Sequence, residues 1–162
     1  MQNVGHYLQL EAIQQNGQNR DEFARSAFNR YYYSAYLDTR ALVAALDPTW
    51  ASIAHKTLPE LLQGTVRKKF RAEKARAEKS GDGQLATMLD GAVRATVNLA
   101  RLLSVAYSVR VVADYQPDEK VNFSSAERFS LKNIDITTAH AWNQQTRIWI
   151  TSIHQAWSQI SV

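Results

Sequence analysis

The chain has no cysteine among its 162 residues. It can form no disulfide and offers no thiolate as a nucleophile or a metal ligand. Proline and glycine are scarce, three and six residues, so few positions break a helix. No apolar run approaches twenty residues, and Met1-Gln-Asn-Val-Gly-His6 contains no basic stretch leading into an apolar one. The expectation is a cytoplasmic protein with neither signal peptide nor membrane span. Gly-x-Gly-x-x-Gly and the phosphate-binding Gly-Lys-Ser/Thr are both missing. No glutamate stands three residues before His6, His55, His140 or His154. The Glu-x-x-His pairs of di-iron bundles are therefore absent, and no metal or cofactor is expected.

What the chain does hold is 45% hydrophobic residues and a net charge of +4. At this length it is expected to form one domain over residues 1–162, with a core able to fold unaided. The charge is concentrated. Between Arg67 and Lys79, seven basic residues (Arg67, Lys68, Lys69, Arg71, Lys74, Arg76, Lys79) face only Glu73 and Glu78. That segment carries a net +5, so the rest of the chain is close to neutral. It is suited to attracting nucleic acid or an acidic partner. The same residues are good helix formers, and a solvated helix face accounts for them equally well.

Helical periodicity dominates the chain. It predicts a first helix over residues 3–15, with Val4, Tyr7, Leu8 and Leu10 to Ile13 as its apolar face. A second runs to about Leu46, capped by Asn19 or Asp21, with Phe23, Ala27, Tyr31 and Ala35 as its core ladder. Asp47-Pro48 ends it. A third stretch covers Trp50 to about Ser80, its main part opened by Pro59, with Gly64 as a potential break. Gly81-Asp-Gly83 is a loop, and the longest helix follows from Gln84 to about Val112. Residues 116–134 look polar and irregular, without a strand signal. A last helix starts at Ile136 or Thr138 and ends near Ile160. Together these predict an all-α, up-and-down bundle of about five helices. Three of the four tryptophans lie on the last helix, more than one bundle core usually needs, which leaves a surface for a partner.

Two segments carry chemistry. In Arg25-Ser-Ala-Phe-Asn-Arg-Tyr-Tyr-Tyr-Ser-Ala-Tyr36, Asn29 and Tyr33 are four apart and share a helix face, with Arg30 beside it. In Arg110-Val-Val-Ala-Asp-Tyr115, Arg110 and Asp114 are also four apart. Arginine can hold a phosphate through two donors, and tyrosine can stack on a base or bond a sugar. Each segment also has an ordinary reading: a helix interface with wet phenol hydroxyls, and an i,i+4 ion pair.

Read together, these segments resemble the HEPN superfamily. The first is similar to that family's Ser/Asn-Arg-x-Tyr-Tyr-Ala helix. Ala54-His-Lys-Thr-Leu-Pro-Glu-Leu-Leu62 resembles its His-Lys/Arg segment, and Arg110-Val-Val-Ala-Asp-Tyr115 its Arg-x-x-Ala-Asp-Tyr. The similarity spans about residues 20–160. It implies a four- or five-helix bundle forming a homodimer. Many members are metal-independent endoribonucleases, toxins paired with a small nucleotidyltransferase antitoxin, or parts of anti-phage systems. Active members carry Arg-x(4–6)-His at the dimer interface. Histidine activates the ribose 2′-hydroxyl and arginine stabilises charge at phosphorus.

Here Tyr115 stands where Arg-x4-His would place the histidine, and a phenol, titrating at about 10, is a poor base near neutrality. His55 is the alternative source of an imidazole. Arg147-Ile-Trp-Ile-Thr-Ser-Ile-His154 also satisfies Arg-x6-His, but it lies deep in the last helix, where twelve arginines and four histidines make one chance match unsurprising.

The resemblance assigns Arg110 as phosphate clamp, Asp114 as its orienter, Tyr33 and Tyr115 as ribose or base contacts and His55 as base. Asn29 and Arg30 are backbone contacts, and Lys56, Arg67, Lys68, Lys69 and Arg71 belong to the RNA- or phosphate-binding set. Two functions remain side by side. One is an RNA-cleaving or RNA-binding effector of a bacterial toxin–antitoxin or anti-phage module. The other is a catalytically silent HEPN-fold partner that binds a nucleotidyltransferase, another defence protein or a nucleotide.

Overall fold

A computed structural model describes residues 1–15, 17–125 and 127–160. Its helices are α1 (Gln2–Gln14), α2 (Gln18–Leu46), α3 (Leu58–Leu61), α4 (Arg67–Ser80), α5 (Gly83–Tyr115) and α6 (Ile136–Ile160). A single π-helical turn, Leu62–Val66, joins α3 to α4 without a break. The described residues therefore form an all-α bundle of five helical rods. Gly64 widens its helix into the π turn rather than ending it. Pro59 sits in the first turn of α3, where a missing N–H costs nothing. Residues 50–57 are 3₁₀ and turn, so the third rod starts later than its sequence suggests. One helix, α5, is long and apolar enough by composition to cross a membrane. Half of that stretch is buried, and Leu89, Ala92, Leu99, Ala100 and Leu103 make it a core helix.

The chain falls into two compact units, residues 1–37 with 105–144, and 38–104 with 145–162. In the first, Ala24, Ala27, Phe28, Tyr31, Tyr32 and Ala35 of α2 are buried with Val109, Val112, Phe129 and Trp142. Phe23, expected on this ladder, is only half-buried, and Ala24 and Phe28 do its work. In the second unit Leu58, Leu62, Val66, Phe70, Leu89, Leu99 and Ile153 form the core. Trp157 packs edge-on against both Trp50 and Phe70 there.

Residues 116–134 are not wholly irregular. They contain β1 (Asn122–Phe123), β2 (Phe129–Leu131) and the start of β3 (Ile134–Asp135), an antiparallel sheet in the order β1-β2-β3. Phe123 pairs with Phe129, and Leu131 with Ile134. Strands of two or three residues are too short to show a period of two. Their apolar side chains nonetheless alternate: Phe129 and Leu131 are buried, and the Phe129 ring meets Phe28 edge-on. The β2–β3 turn is Lys132-Asn133, with φ +50° and +60°. Two left-handed residues in a two-residue loop match the twist of a hairpin.

The expected apolar face of α1 is corrected by the structure. Val4, Tyr7 and Leu10 are exposed and Leu8 and Ile13 only half-buried; Ala12 is buried as expected, but with Gly5 and Gln9 rather than with the large apolar residues. The reason is Tyr31. A Cβ at Gly5 would lie 2.9 Å from its ring, and the Tyr31 hydroxyl donates to Gln9 Oε1 at 2.6 Å. Only the small, polar side of α1 fits over this tyrosine. The ring of His140 also stacks on it, centroids 5.3 Å apart. Tyr31 cannot swing away, so Gly5→Ala forces overpacking that costs about 1–3 kcal/mol. That outweighs the ~1 kcal/mol of helix propensity gained. The urea midpoint of Gly5→Ala should fall relative to the parent.

The start of α6 carries a second prediction. Asp135 Oδ1 accepts from the Thr137 N–H at 2.8 Å and from its hydroxyl at 2.6 Å. The Thr137 hydroxyl is the largest cause holding the Asp135 carboxyl below its usual range. A carboxyl whose folded value is depressed stabilises the fold above the unfolded value, and that contribution disappears as pH falls through the folded one. Asp135→Ala should cost about 1 kcal/mol at pH 7. In acid, denaturation curves of parent and variant should converge.

Candidate functional site

The two lead segments meet within the first unit. The helix α5 runs three residues past the expected end at Val112, so Arg110, Asp114 and Tyr115 all lie on its last turns. Arg110 Nε sits 2.9 Å from Asp114 Oδ2. The N–H does not point at that oxygen and has no hydrogen-bond partner, so the contact is coulombic. The other carboxylate oxygen, Oδ1, accepts from Asn29 Nδ2 at 2.5 Å. Asp114 thus links α2 to Arg110. The side chains of Arg110 and Asp114 are 16% and 24% exposed.

Two phenols flank the guanidinium. Its carbon lies 5.1 Å from the Tyr115 ring centre and 5.9 Å from that of Tyr33, within cation–π range. Arg110 Nη2 donates to the Tyr115 hydroxyl at 3.5 Å, a long bond. Burial opposes the charge on Arg110, but Tyr115, Asp114 and Tyr33 together raise its affinity for the proton. Behind Tyr33 stand Tyr32, Tyr36 and Tyr107. Tyr32 stacks on Tyr36 and meets Tyr33 and Tyr107 edge-on. Burial, then the neighbouring phenols, push the Tyr32 hydroxyl well above its ordinary range. Tyr115 is the opposite case, 67% exposed at the helix end.

The structure therefore brings Asn29, Tyr33, Arg110, Asp114 and Tyr115 together. Arg30 takes another direction. It is exposed, and its Cβ lies near Gly5 of α1. His55 and Lys56 belong to the second unit, as does the basic helix. In that helix Lys74 bonds Asp90 at 2.9 Å and Arg76 bonds Glu73 at 2.7 Å. Lys69 lies 4.1 Å over the Trp157 ring, and Arg67 Nε is buried without a hydrogen-bond partner. Lys68, Arg71 and Lys79 remain exposed, outside the ion pairs among the described residues. Internal partners thus absorb part of the +5, and also much of the tryptophan surface set aside for a partner: Trp142 is buried in its own unit and Trp157 packs on Trp50 and Phe70.

The remaining histidines have other neighbours. His6 and His140 face each other with ring centroids 5.0 Å apart, and burial, then His6, lowers the basicity of His140. His154 is exposed, and Arg147 pairs with Asp38 at 3.3 Å. Among the described residues no three His, Asp or Glu side chains converge as metal ligands.

Sequence reasoning missed Asp21 and Arg25. Asn19 or Asp21 was expected to cap α2, but that helix starts at Gln18 and both lie inside it. Asp21 instead pairs with Arg25 and accepts the Val121 N–H at 3.1 Å. Arg25 in turn binds the carbonyls that end α5. The i,i+4 spacing of Asp21 and Arg25 marked the ion pair. Nothing local marked the carbonyl partners some ninety residues away.

Chemically, the cluster is a balanced cation–carboxylate pair fixed by an amide, with two aromatic faces. A double-mutant cycle over Asn29→Ala and Asp114→Ala should return a coupling of roughly 0.5–3 kcal/mol in urea unfolding, because the bond has a charged acceptor. Additive losses would show that the two side chains act independently. Comparison with protein-family models, curated proteins and solved structures finds no match to this chain.

Proposed function

We propose that this chain is a HEPN-type effector that holds RNA, of the class found in bacterial toxin–antitoxin and anti-phage modules, working as a homodimer. One observation carries the proposal: Arg110 is locked by Asp114 and Asn29 and flanked by Tyr33 and the exposed Tyr115. An arginine fixed in this way offers its remaining donors to a phosphate without reorganising. An exposed phenol beside it gives a base a surface to stack on, and such stacking tolerates any sequence. The pair Arg110–Asp114 is neutral, so long-range attraction must come from exposed cations such as Lys68 and Arg71.

Cleavage is the narrower version of this reading. It requires a base for the ribose 2′-hydroxyl, and position 115 supplies a phenol where active family members have histidine. An imidazole would have to come from elsewhere, and His55 is the candidate that the resemblance offers. The catalytically silent partner is the second reading, favoured by that same missing imidazole and by the pairing of Lys74 with Asp90 and of Arg76 with Glu73.

The test uses purified protein, total RNA and EDTA, beside Arg110→Ala and Tyr115→Ala. RNA retention should fall in both variants, for Tyr115→Ala by about 1–3 kcal/mol if one base stacks there. Retention should also weaken steeply with salt. EDTA-resistant cleavage lost in Arg110→Ala would establish the nuclease. Retention without cleavage would establish a holding role. Neither retention nor cleavage, with or without a nucleotidyltransferase partner, would leave the silent adaptor.

A further inference from the structure

We infer that Arg25 is a positioning residue for the Arg110 site, acting through the end of α5. The inference rests on the RNA-holding reading above. The last carbonyls of a helix have no partner within it. At α5 one side chain reaches two of them, Val112 O (which also accepts the Gln116 N–H) and Ala113 O, and goes on to carbonyls of the loop beyond. Arg25 Nη1 donates to Val112 O at 3.2 Å, Ala113 O at 3.4 Å and Gln116 O at 3.2 Å. Its Nη2 donates to Glu119 O. The fork therefore spans the last turn of α5 and the loop beyond it.

Arg25 is itself held. Its Nε donates to Asp21, and its side chain is 12% exposed. The second oxygen of Asp21 accepts the Val121 N–H, so the same pair fastens the chain on both sides of residues 113–121. Asp114 and Tyr115 lie inside this clasp. Asn29, the Asp114 partner, is one helical turn after Arg25 on α2. One stretch of α2 thus fixes both the backbone and the carboxylate of the site.

Helix electrostatics run the same way. A carboxylate at position 114 lies at the negative end of a 33-residue helix, an unfavourable place, whereas a cation there is favourable. Arg25 supplies that cation at the backbone, leaving Arg110 free to face the phenols. Without Arg25, the carbonyls of Ala113 and Glu119 would turn to water, those of Val112 and Gln116 would keep only the N–H of Gln116 and of Glu119, and the last turn would fray. Tyr115 would then lose its place beside Arg110.

The test measures amide exchange along the full chain and affinity for single-stranded RNA, in Arg25→Ala, Arg25→Lys, Asp21→Asn and Arg110→Ala. Arg25→Lys keeps the charge but not the fork, and it carries the test if Arg25→Ala does not fold. Arg25→Ala should speed exchange in residues 113–121 selectively and lose RNA affinity by about tenfold, with Arg25→Lys intermediate. Asp21→Asn keeps an acceptor for Val121 and should show a smaller loss of the same kind. Faster exchange spread evenly over the chain would overturn the inference, since Arg25 would then be a general stabiliser. Unchanged RNA affinity in all Arg25 and Asp21 variants, with affinity lost in Arg110→Ala, would overturn it and leave the RNA-holding reading intact. A parent protein that binds no RNA would overturn both.

Discussion

A helix end inside a folded chain must find partners for its last carbonyls, and here one arginine meets part of that requirement. α5 is the longest helix, and its C-terminal turn carries Arg110, Asp114 and Tyr115. Neither glycine nor a left-handed residue closes that turn; Arg25 does, from the middle of the neighbouring helix. The geometry of the cluster follows. With the backbone of residues 112–119 tied to α2, Asp114 can meet Asn29 and hold Arg110 at the same time. A lysine could not span four carbonyls, because its donors leave from a single atom.

The cluster's chemistry is shaped by balance rather than by excess charge. Asp21 offsets Arg25 and Asp114 offsets Arg110. Paired and partly buried, these charges give up much of their long-range field and gain fixed orientation. What such a cluster presents is the direction of its donors and the shape of its aromatic faces. The longer-range positive field comes from exposed lysines and arginines elsewhere, which solvent and salt screen. The division differs from that of the basic helix, where Lys74 and Arg76 lie in ordinary surface pairs.

Much of this was legible in the residues. The periodicity of α2, α5 and α6 specified a helical bundle, because long helices repeat their apolar positions often enough to be counted. The i,i+4 spacing of Arg110 and Asp114 specified their ion pair. Three features were not legible. The sheet β1-β2-β3 is too short to show alternation and depends on the packing of Phe129 against Phe28. The docked face of α1 reads as polar and small, and the presence of Tyr31 explains why Val4, Tyr7 and Leu10 turn outward. The role of Arg25 lies in backbone carbonyls far along the chain, and carbonyls leave no mark in a sequence. The pairing of Asn29 with Asp114 is an intermediate case. Each was singled out, but the bond between them depends on how two distant helices cross.

Gly5 gives α1 a particular standing among the helices. A glycine in the first turn of a 13-residue helix weakens a segment already near the limit of what holds in water alone. That glycine is also what lets the helix reach the Tyr31 ring. The helix is thus a product of its docking. Its formation and its attachment are one event, governed by a single aromatic ring on α2.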